Sequence, residues 1–353
     1  MLFESARSML REYGVCALRA LTMGLVFGLL LAGPARAGFS QELKLEVGNS
    51  VVKIEAISAE GGYGLGSGVI VAPGLVVTNC HVTRKASRIA VLKNGLRTYA
   101  RTQRSDIYRD LCMLRVPTLE GEPVVLGRTE ALSRKQTVMA IGYTGGLGIQ
   151  YSEGEVAGLH RLAGSRVVQS TNWFSSGASG GGMFDEQGRL IGVLTFRLRG
   201  GERHYYATPV EWVKELLAAE GAERPIEPVP GLCFWELGPP EQPHFLRAAA
   251  LVQGQAWDEL AQLAERWEAE DPMDSEAPHA RGLALTALGR IEAAEQAYSR
   301  ALNLDPRHAR AWLDLGLLYQ RSGRQGKARE ALTVLSQLDP QAARQLSDSL
   351  EPR

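Results

Sequence analysis

From Leu43 to Thr208 the apolar residues fall in short runs, such as Val69-Ile70-Val71, Leu75-Val76-Val77, Val138-Met139-Ala140-Ile141 and Leu190-Ile191-Gly192-Val193-Leu194, broken by Gly, Asn, Ser and Pro. Such runs between turn residues predict many short strands in an all-β barrel or sandwich. At Pro209 the period changes. Val210, Trp212, Val213, Leu216 and Leu217 recur at helical spacing, so one helix closes the strand-rich region. Residues 219–242 then hold Pro225, Pro228, Pro230, Pro239 and Pro240, with Pro243 just beyond, which predicts a Pro-rich linker.

Beyond the linker the chain is rich in Ala, Leu, Glu and Arg, and Asp271-Pro272, Asp305-Pro306 and Asp339-Pro340 stand 34 residues apart. A repeat of that period predicts stacked helix pairs. The same offset places Gly282 over Gly316, Gly289 over Gly323, Ala294 over Ala328 and Ala297 over Ala331, small residues where helices approach closely. With Trp312, Leu315, Gly316 and Tyr319 the pattern resembles the tetratricopeptide repeat, in two good units, a degenerate one ending at Asp271, and a capping helix from Gln341. The resemblance implies a surface that recruits a protein or peptide partner.

The N-terminus reads differently again. Arg7, Arg11 and Arg19 precede an uncharged stretch from Ala20 to Ala35, and Pro34-Ala35-Arg36-Ala37 offers a small-x-small cleavage site. This predicts a secretory signal over 1–37, with an uncleaved N-terminal anchor as the alternative; after cleavage the mature chain starts at Gly38 with no membrane span, in a periplasmic or secreted protein. The expected division is therefore signal 1–37, strand-rich domain 38–218, linker 219–242 and helical domain 243–353. The chain has 353 residues, 39 Lys+Arg against 39 Asp+Glu, and a formal net charge of zero, which removes the basic footprint that nucleic-acid binding needs. The four cysteines are dispersed and form no C-x-x-C pair, so neither a disulfide scaffold nor a structural metal is expected.

Three segments carry candidate chemistry. Gly66-Ser67-Gly68-Val69-Ile70-Val71 and Val76-Val77-Thr78-Asn79-Cys80-His81 read as two strands around Pro73-Gly74, the second delivering a histidine. Arg109-Asp110-Leu111-Cys112-Met113-Leu114 places an aspartate at the head of an apolar strand. Ser176-Gly177-Ala178-Ser179-Gly180-Gly181-Gly182 sets a serine in a run of small residues. In the order His, Asp, Ser, these segments resemble the trypsin-like (chymotrypsin-fold) serine peptidases over Leu43 to Leu217. The resemblance implies an all-β double barrel, followed here by the all-α repeat domain. It implies a triad of His81, Asp110 and Ser179, an oxyanion hole from the amides of Gly177 and Ser179, and no cofactor. Asp106 is the rival for Asp110, but no apolar strand follows it directly.

The chain departs from that pattern at two positions. Ala178 stands where many secreted relatives have an aspartate that pairs with a new N-terminus, which excludes that route of activation and requires the loop to be ordered otherwise. Gly182 stands where many relatives have proline, which predicts a looser loop. By the same resemblance Trp173, six before the serine, lies at the base of the specificity pocket, and Thr195-Phe196-Arg197 pairs with substrate. No acid is present there for Arg or Lys, so a small or aliphatic side chain is expected. A working triad brings Cys80 and Cys112 into one region, making them a candidate disulfide, with packed free thiols as the alternative; Cys233 is then left unpaired. The expected function is an exported serine endopeptidase. A non-catalytic scaffold working through its repeats is the alternative, which gives no reason for an intact triad.

Overall fold

The computed structural model describes residues 38–198, 205–219 and 223–351, so the expected signal over 1–37 lies outside the described residues. After a short helix α1 (Gln41–Gly48) come β1 (Val51–Ser58), β2 (Tyr63–Ala72), β3 (Leu75–Thr78), a one-turn helix α2 (Cys80–Thr83), β4 (Ala86–Lys93), β5 (Leu96–Tyr99), β6 (Thr102–Asp106) and β7 (Leu111–Arg115). Val52, Ile54 and Ala56 alternate along β1 and meet Ile70, Ile89, Val91 and Leu114 in a buried core, the period-two pattern of strands with one covered face. The ladder runs β6-β7-β3-β2-β1-β4-β5. Between its ends, the Ala100 amide donates to Ile89 O and the next amide, Arg101, to Arg115 O. Residues 100–101 thus bridge the two flanks and give the sheet its barrel form.

The second half is a closed barrel of β8 (Thr137–Gly142), β9 (Gln150–Leu162), β10 (Ser165–Ser170), β11 (Gly182–Phe184), β12 (Leu190–Arg197) and β13 (Tyr205–Pro209), in the order β10-β13-β12-β11-β8-β9. Val138, Val156, Val168, Met183, Ile191 and Leu194 fill it. Helix α3 (Val210–Ala218) follows and buries Val210, Trp212, Val213 and Leu216.

The segment expected to be a linker is instead a strap laid along the first barrel. Its Arg224 and Pro225, β14, pair with β6. Glu223 bonds Arg115, the Val229 amide reaches Arg84 O, the Phe234 amide reaches Tyr108 O, and Glu236 grips Arg84 through two hydrogen bonds. Cys233 and Phe234 are fully buried. Its prolines remove amide donors and favour extended backbone, which suits a sheet edge as well as a free tether.

The helical region consists of α4 (His244–Gln253), α5 (Trp257–Glu270), α6 (Glu276–Ala287), α7 (Ile291–Leu304), α8 (Ala309–Arg321), α9 (Gln325–Leu338) and α10 (Pro340–Leu350). The degenerate unit forms a helix pair like the others. A Cβ on Gly282 would stand 2.5 Å from the Tyr298 ring, and one on Gly316 2.5 Å from Leu346, so these two glycines mark close helix approaches; Gly289 and Gly323 do not, since nothing stands within 4 Å of either and their left-handed φ of 73° and 75° after a helix end accounts for them instead. Each repeat aspartate works twice. Oδ1 of Asp271, Asp305 and Asp339 accepts a local amide, from Met273, Arg307 and Gln341 respectively. Oδ2 faces a cation of the second barrel: Arg161 at 2.7 Å, Arg134 at 3.8 Å and Lys135 at 2.8 Å. Among the described residues no helix is long and apolar enough to cross a membrane.

Candidate active site

β3 runs into Asn79, and the one-turn α2 behind it presents His81 at the mouth between the barrels. Across from it the turn after β6 carries Asp110 with φ of 57°, a left-handed conformation that aspartate tolerates better than most residues. The turn is held in place: Asn79 Nδ2 donates to Asp110 O at 2.9 Å, and Cys80 is disulfide-bonded to Cys112, with Cα atoms 4.9 Å apart. The Asp110 carboxylate is fully buried and accepts five hydrogen bonds. Oδ1 takes the His81 amide (2.9 Å) and the Cys233 thiol (3.2 Å). Oδ2 takes His81 Nδ1 (2.7 Å), Thr195 Oγ1 (2.5 Å) and Trp235 Nε1 (3.2 Å). Burial by itself pushes this carboxyl up, but His81 and the surrounding donors outweigh it and hold Asp110 below its ordinary value. An ionised Asp110 fixes the imidazole with its proton on Nδ1, leaving Nε2 free to act as a base.

Ser179 follows the Gly177-Ala178 turn. Gly177 has φ of 95° and a Cβ there would stand 2.4 Å from Tyr143 O; Gly180 has φ of 89° and a Cβ would stand 2.1 Å from Ser67 O. Only glycine fits either place. The loop is ordered by Ser67, whose Oγ donates to Gly177 O (2.7 Å) and accepts from the Tyr143 amide (2.8 Å), while its own amide donates to Ser179 O (2.7 Å). Among the described residues the Gly177 and Ser179 amides donate to no acceptor in the chain, which leaves both for a developing oxyanion. Ser179 Oγ donates to Thr195 O at 3.2 Å, so its proton must leave that carbonyl to engage His81. Ala178 is buried against Gly142. Gly182 lies paired within β11, where a Cβ would meet the Phe184 ring at 2.3 Å, so the strand rather than a looser loop accounts for this glycine.

Beside Ser179, a pocket of about 20 Å³ is lined by Ala140, Gly142, Tyr151, Phe174, Ala178 and Leu194, with Trp173 also touching it. Trp173 is 55% exposed where it lines the pocket, and its neighbour Phe174 is buried against Tyr205. Of the segment expected to bind substrate, Thr195 turns its hydroxyl to Asp110, Phe196 is buried in a stack with Tyr206 (4.6 Å between centroids), and Arg197 is exposed. Asp106 ends β6 and accepts the Arg109 amide, away from His81. Sequence reasoning missed Ser67, Cys233 and Trp235. The only signal for the last two was a Cys-Phe-Trp run standing among prolines.

A second titratable cluster, Glu276, His279 and His308, lies where the helical region meets the second barrel, with donor atoms within 4.8 Å of one another. The set does not suit a metal. Arg134 already pairs with Glu276 Oε1, His279 Nε2 bonds Asp314, and His308 Nδ1 accepts the Ala311 amide, which puts a proton on Nε2.

Residues 66–193 match the family model of the trypsin-like peptidase domain, and residues 282–323 and 309–341 match models of the tetratricopeptide repeat. The chain therefore carries a trypsin-like peptidase domain followed by tetratricopeptide repeats. A stretch of 167 residues, 44% of the chain, is 30% identical to a probable periplasmic serine endoprotease, DegP-like, of Buchnera aphidicola, covering 36% of it. Another of 165 residues, 43% of the chain, is 32% identical to the serine protease HTRA4 of Homo sapiens, covering 34% of it. The chain thus spans about a third of the length of these curated relatives. Among solved structures it is similar to the active form of a protease from M. tuberculosis, with 24% identity, a TM-score of 0.49, and coverage of 54% of this chain and 91% of that one.

Proposed function

We propose that this chain is an exported serine endopeptidase that cleaves peptide bonds through Ser179, His81 and Asp110, with its helical repeats recruiting a protein partner or substrate. The observation that carries the reading is the His81–Asp110 pair beside a serine loop whose two amides are left undonated. In the cycle, Ser179 Oγ attacks the scissile carbonyl carbon while His81 Nε2 takes its proton; Asp110 stabilises the imidazolium. The carbonyl oxygen gains negative charge and accepts from the Gly177 and Ser179 amides, each worth about 3 kcal/mol to the transition state. Collapse breaks the C–N bond, and Nε2 returns the proton to the leaving amine. Water then repeats the sequence on the acyl-enzyme. Side chains and water handle every bond and proton.

The small pocket beside Ala178 and Leu194 favours a small side chain before the scissile bond. Export is supported by the N-terminal leader pattern and by the Cys80–Cys112 disulfide, a bond that persists in oxidising compartments. The domains are taken as signal 1–37, a peptidase domain from 38 that includes α3 and the strap, and a helical domain from 243. The test is labelling by a fluorophosphonate, which forms a bond to Ser179 Oγ and releases fluoride. Wild-type protein labels and hydrolyses small peptides; Ser179→Ala and His81→Ala do neither while remaining folded. Wild-type-like turnover by a folded Ser179→Ala protein rules the assignment out.

A further inference from the structure

We propose that the strap is a working part of the catalytic apparatus, with Trp235 and Cys233 as positioning residues that hold the Asp110–His81 pair from outside the barrels. The peptidase family model ends at residue 193, and the hydrophobic period ends at α3, yet two of the donors to Asp110 come from residues 233 and 235. They divide the carboxylate between them. The Cys233 thiol takes Oδ1, the oxygen that also receives the His81 amide; the Trp235 indole takes Oδ2, the oxygen that also receives His81 Nδ1.

Trp235 does more than donate. Its ring meets the imidazole of His81 edge to face, with centroids 5.3 Å apart and planes at 87°, and stacks on Phe196 on another side at 5.3 Å and 20°. Phe196 directly follows Thr195, itself a donor to Asp110. His81 is therefore fixed by hydrogen bonds to the carboxylate and by contact with a ring that the strap supplies. The strap in turn is fixed on both flanks of these residues and between them: the Val229 amide donates to Arg84 O, the Phe234 amide donates to Tyr108 O, and Arg84 holds Glu236. Cys233 is fully buried, and burial together with the Asp110 charge pushes its thiol up, so it stays protonated and donating.

The chemical consequence has a definite sign. Donors on a carboxylate disperse its charge, and a carboxylate with fewer donors stabilises a neighbouring imidazolium more strongly. Removing the indole N–H or the thiol therefore raises the pH at which His81 loses its proton, and moves the acid limb of the reaction upward. It also loosens the imidazole, which lowers the rate at the plateau. A role limited to filling space would lower stability and leave the limb where it is.

This inference rests on the peptidase reading, and the experiment separates the two. The second-order rate of fluorophosphonate labelling is measured from about pH 5 to 9 on the full chain and on Trp235→Phe, Cys233→Ala and Cys233→Ser, with the His81 imidazole titrated by NMR in each. Trp235→Phe keeps an aromatic ring and Cys233→Ser keeps a donor, so folded variants are in hand even where Cys233→Ala unfolds. The expected result for Trp235→Phe is an acid limb and a His81 titration shifted up by about half a pH unit and a plateau about tenfold lower. Cys233→Ser stays near wild type. Limbs and titrations that stay at the wild-type values in folded Trp235→Phe, with an unchanged plateau, overturn the proposal. A wild-type chain that never labels, while the His81 titration still shifts in the variants, keeps the positioning role and overturns the peptidase reading.

Discussion

Ser67→Ala is the most informative single change in the barrels, because one hydroxyl holds the serine loop from 110 residues away. It donates to Gly177 O at 2.7 Å and accepts from the Tyr143 amide at 2.8 Å, and Ser67 itself is fully buried. Alanine leaves the buried Gly177 carbonyl and the half-buried Tyr143 amide without this partner, at about 1 to 3 kcal/mol for the first and toward the lower end for the second. Allowing for relaxation of the loop, about 2 to 4 kcal/mol is lost. For a domain of this size that lowers the melting temperature by about 5 to 10 °C, short of unfolding it at room temperature. The catalytic effect is larger. Freeing the Gly177 carbonyl lets the peptides of that turn rotate, and a misdirected Gly177 amide removes one oxyanion donor, worth about 100-fold in rate. Calorimetry and fluorophosphonate labelling of the variant, beside Ser179→Ala as the zero, read both quantities. Melting within about 1 °C of wild type with an unchanged labelling rate would refute the claim that Ser67 orders the loop.

Other consequences can be tested with simpler measurements. Reducing the Cys80–Cys112 bridge, or replacing both cysteines by serine, opens a loop of sequence separation 32 and should cost about 3 to 4 kcal/mol in denaturant unfolding. A chain ended at residue 219 should lose labelling, while one ended at 242 keeps it, since only the second retains the strap; equal labelling contradicts that division. Arg134→Ala strands the buried Glu276, whose carboxyl is held well below its usual range despite burial by Arg134 and His308, and should cost about 3 to 5 kcal/mol, read as faster proteolysis between barrel and helices. Burial holds His308, between Glu276, His279 and Arg134, down to about 4 from an ordinary 6.5. The unfolded chain therefore binds that proton first. The stability His308 confers is complete above about pH 6.5 and drains away as pH falls toward 4, and His308→Gln should flatten that part of a melting profile.

The sequence made some of this legible and hid the rest for physical reasons. The strands, the closing helix and the 34-residue repeat show because burial imposes a period on the chain. His81, Asp110 and Ser179 show because each sits in a local context its chemistry demands: a strand end, a strand head, a turn of small residues. Ser67 hides because its hydroxyl acts on Tyr143 and Gly177, far along the chain, and a Gly-Ser-Gly run looks like any loop. The strap hides because proline content speaks of backbone shape and not of packing; Pro225 lies in a strand pair where a tether was expected. Trp173 lines the small pocket while standing 55% exposed, and an offset of six residues from the serine carries no information about exposure.

The row of aspartates that recurs with the repeat gives the helical stack an unusual mechanical character. A solenoid ordinarily touches only its own neighbours, so its curvature is elastic and its number of units can drift by insertion or loss without upsetting the rest. Here Asp271, Asp305 and Asp339 engage Arg161, Arg134 and Lys135, one contact per unit along a single barrel. The barrel serves as a ruler. An extra repeat inserted between the first and last would throw the distal contacts off their cations, and a stretched or coiled stack would break them in turn. The array is therefore fixed in both length and pitch, like a spring glued to a rigid bar, and whatever it carries is held at one distance from Ser179.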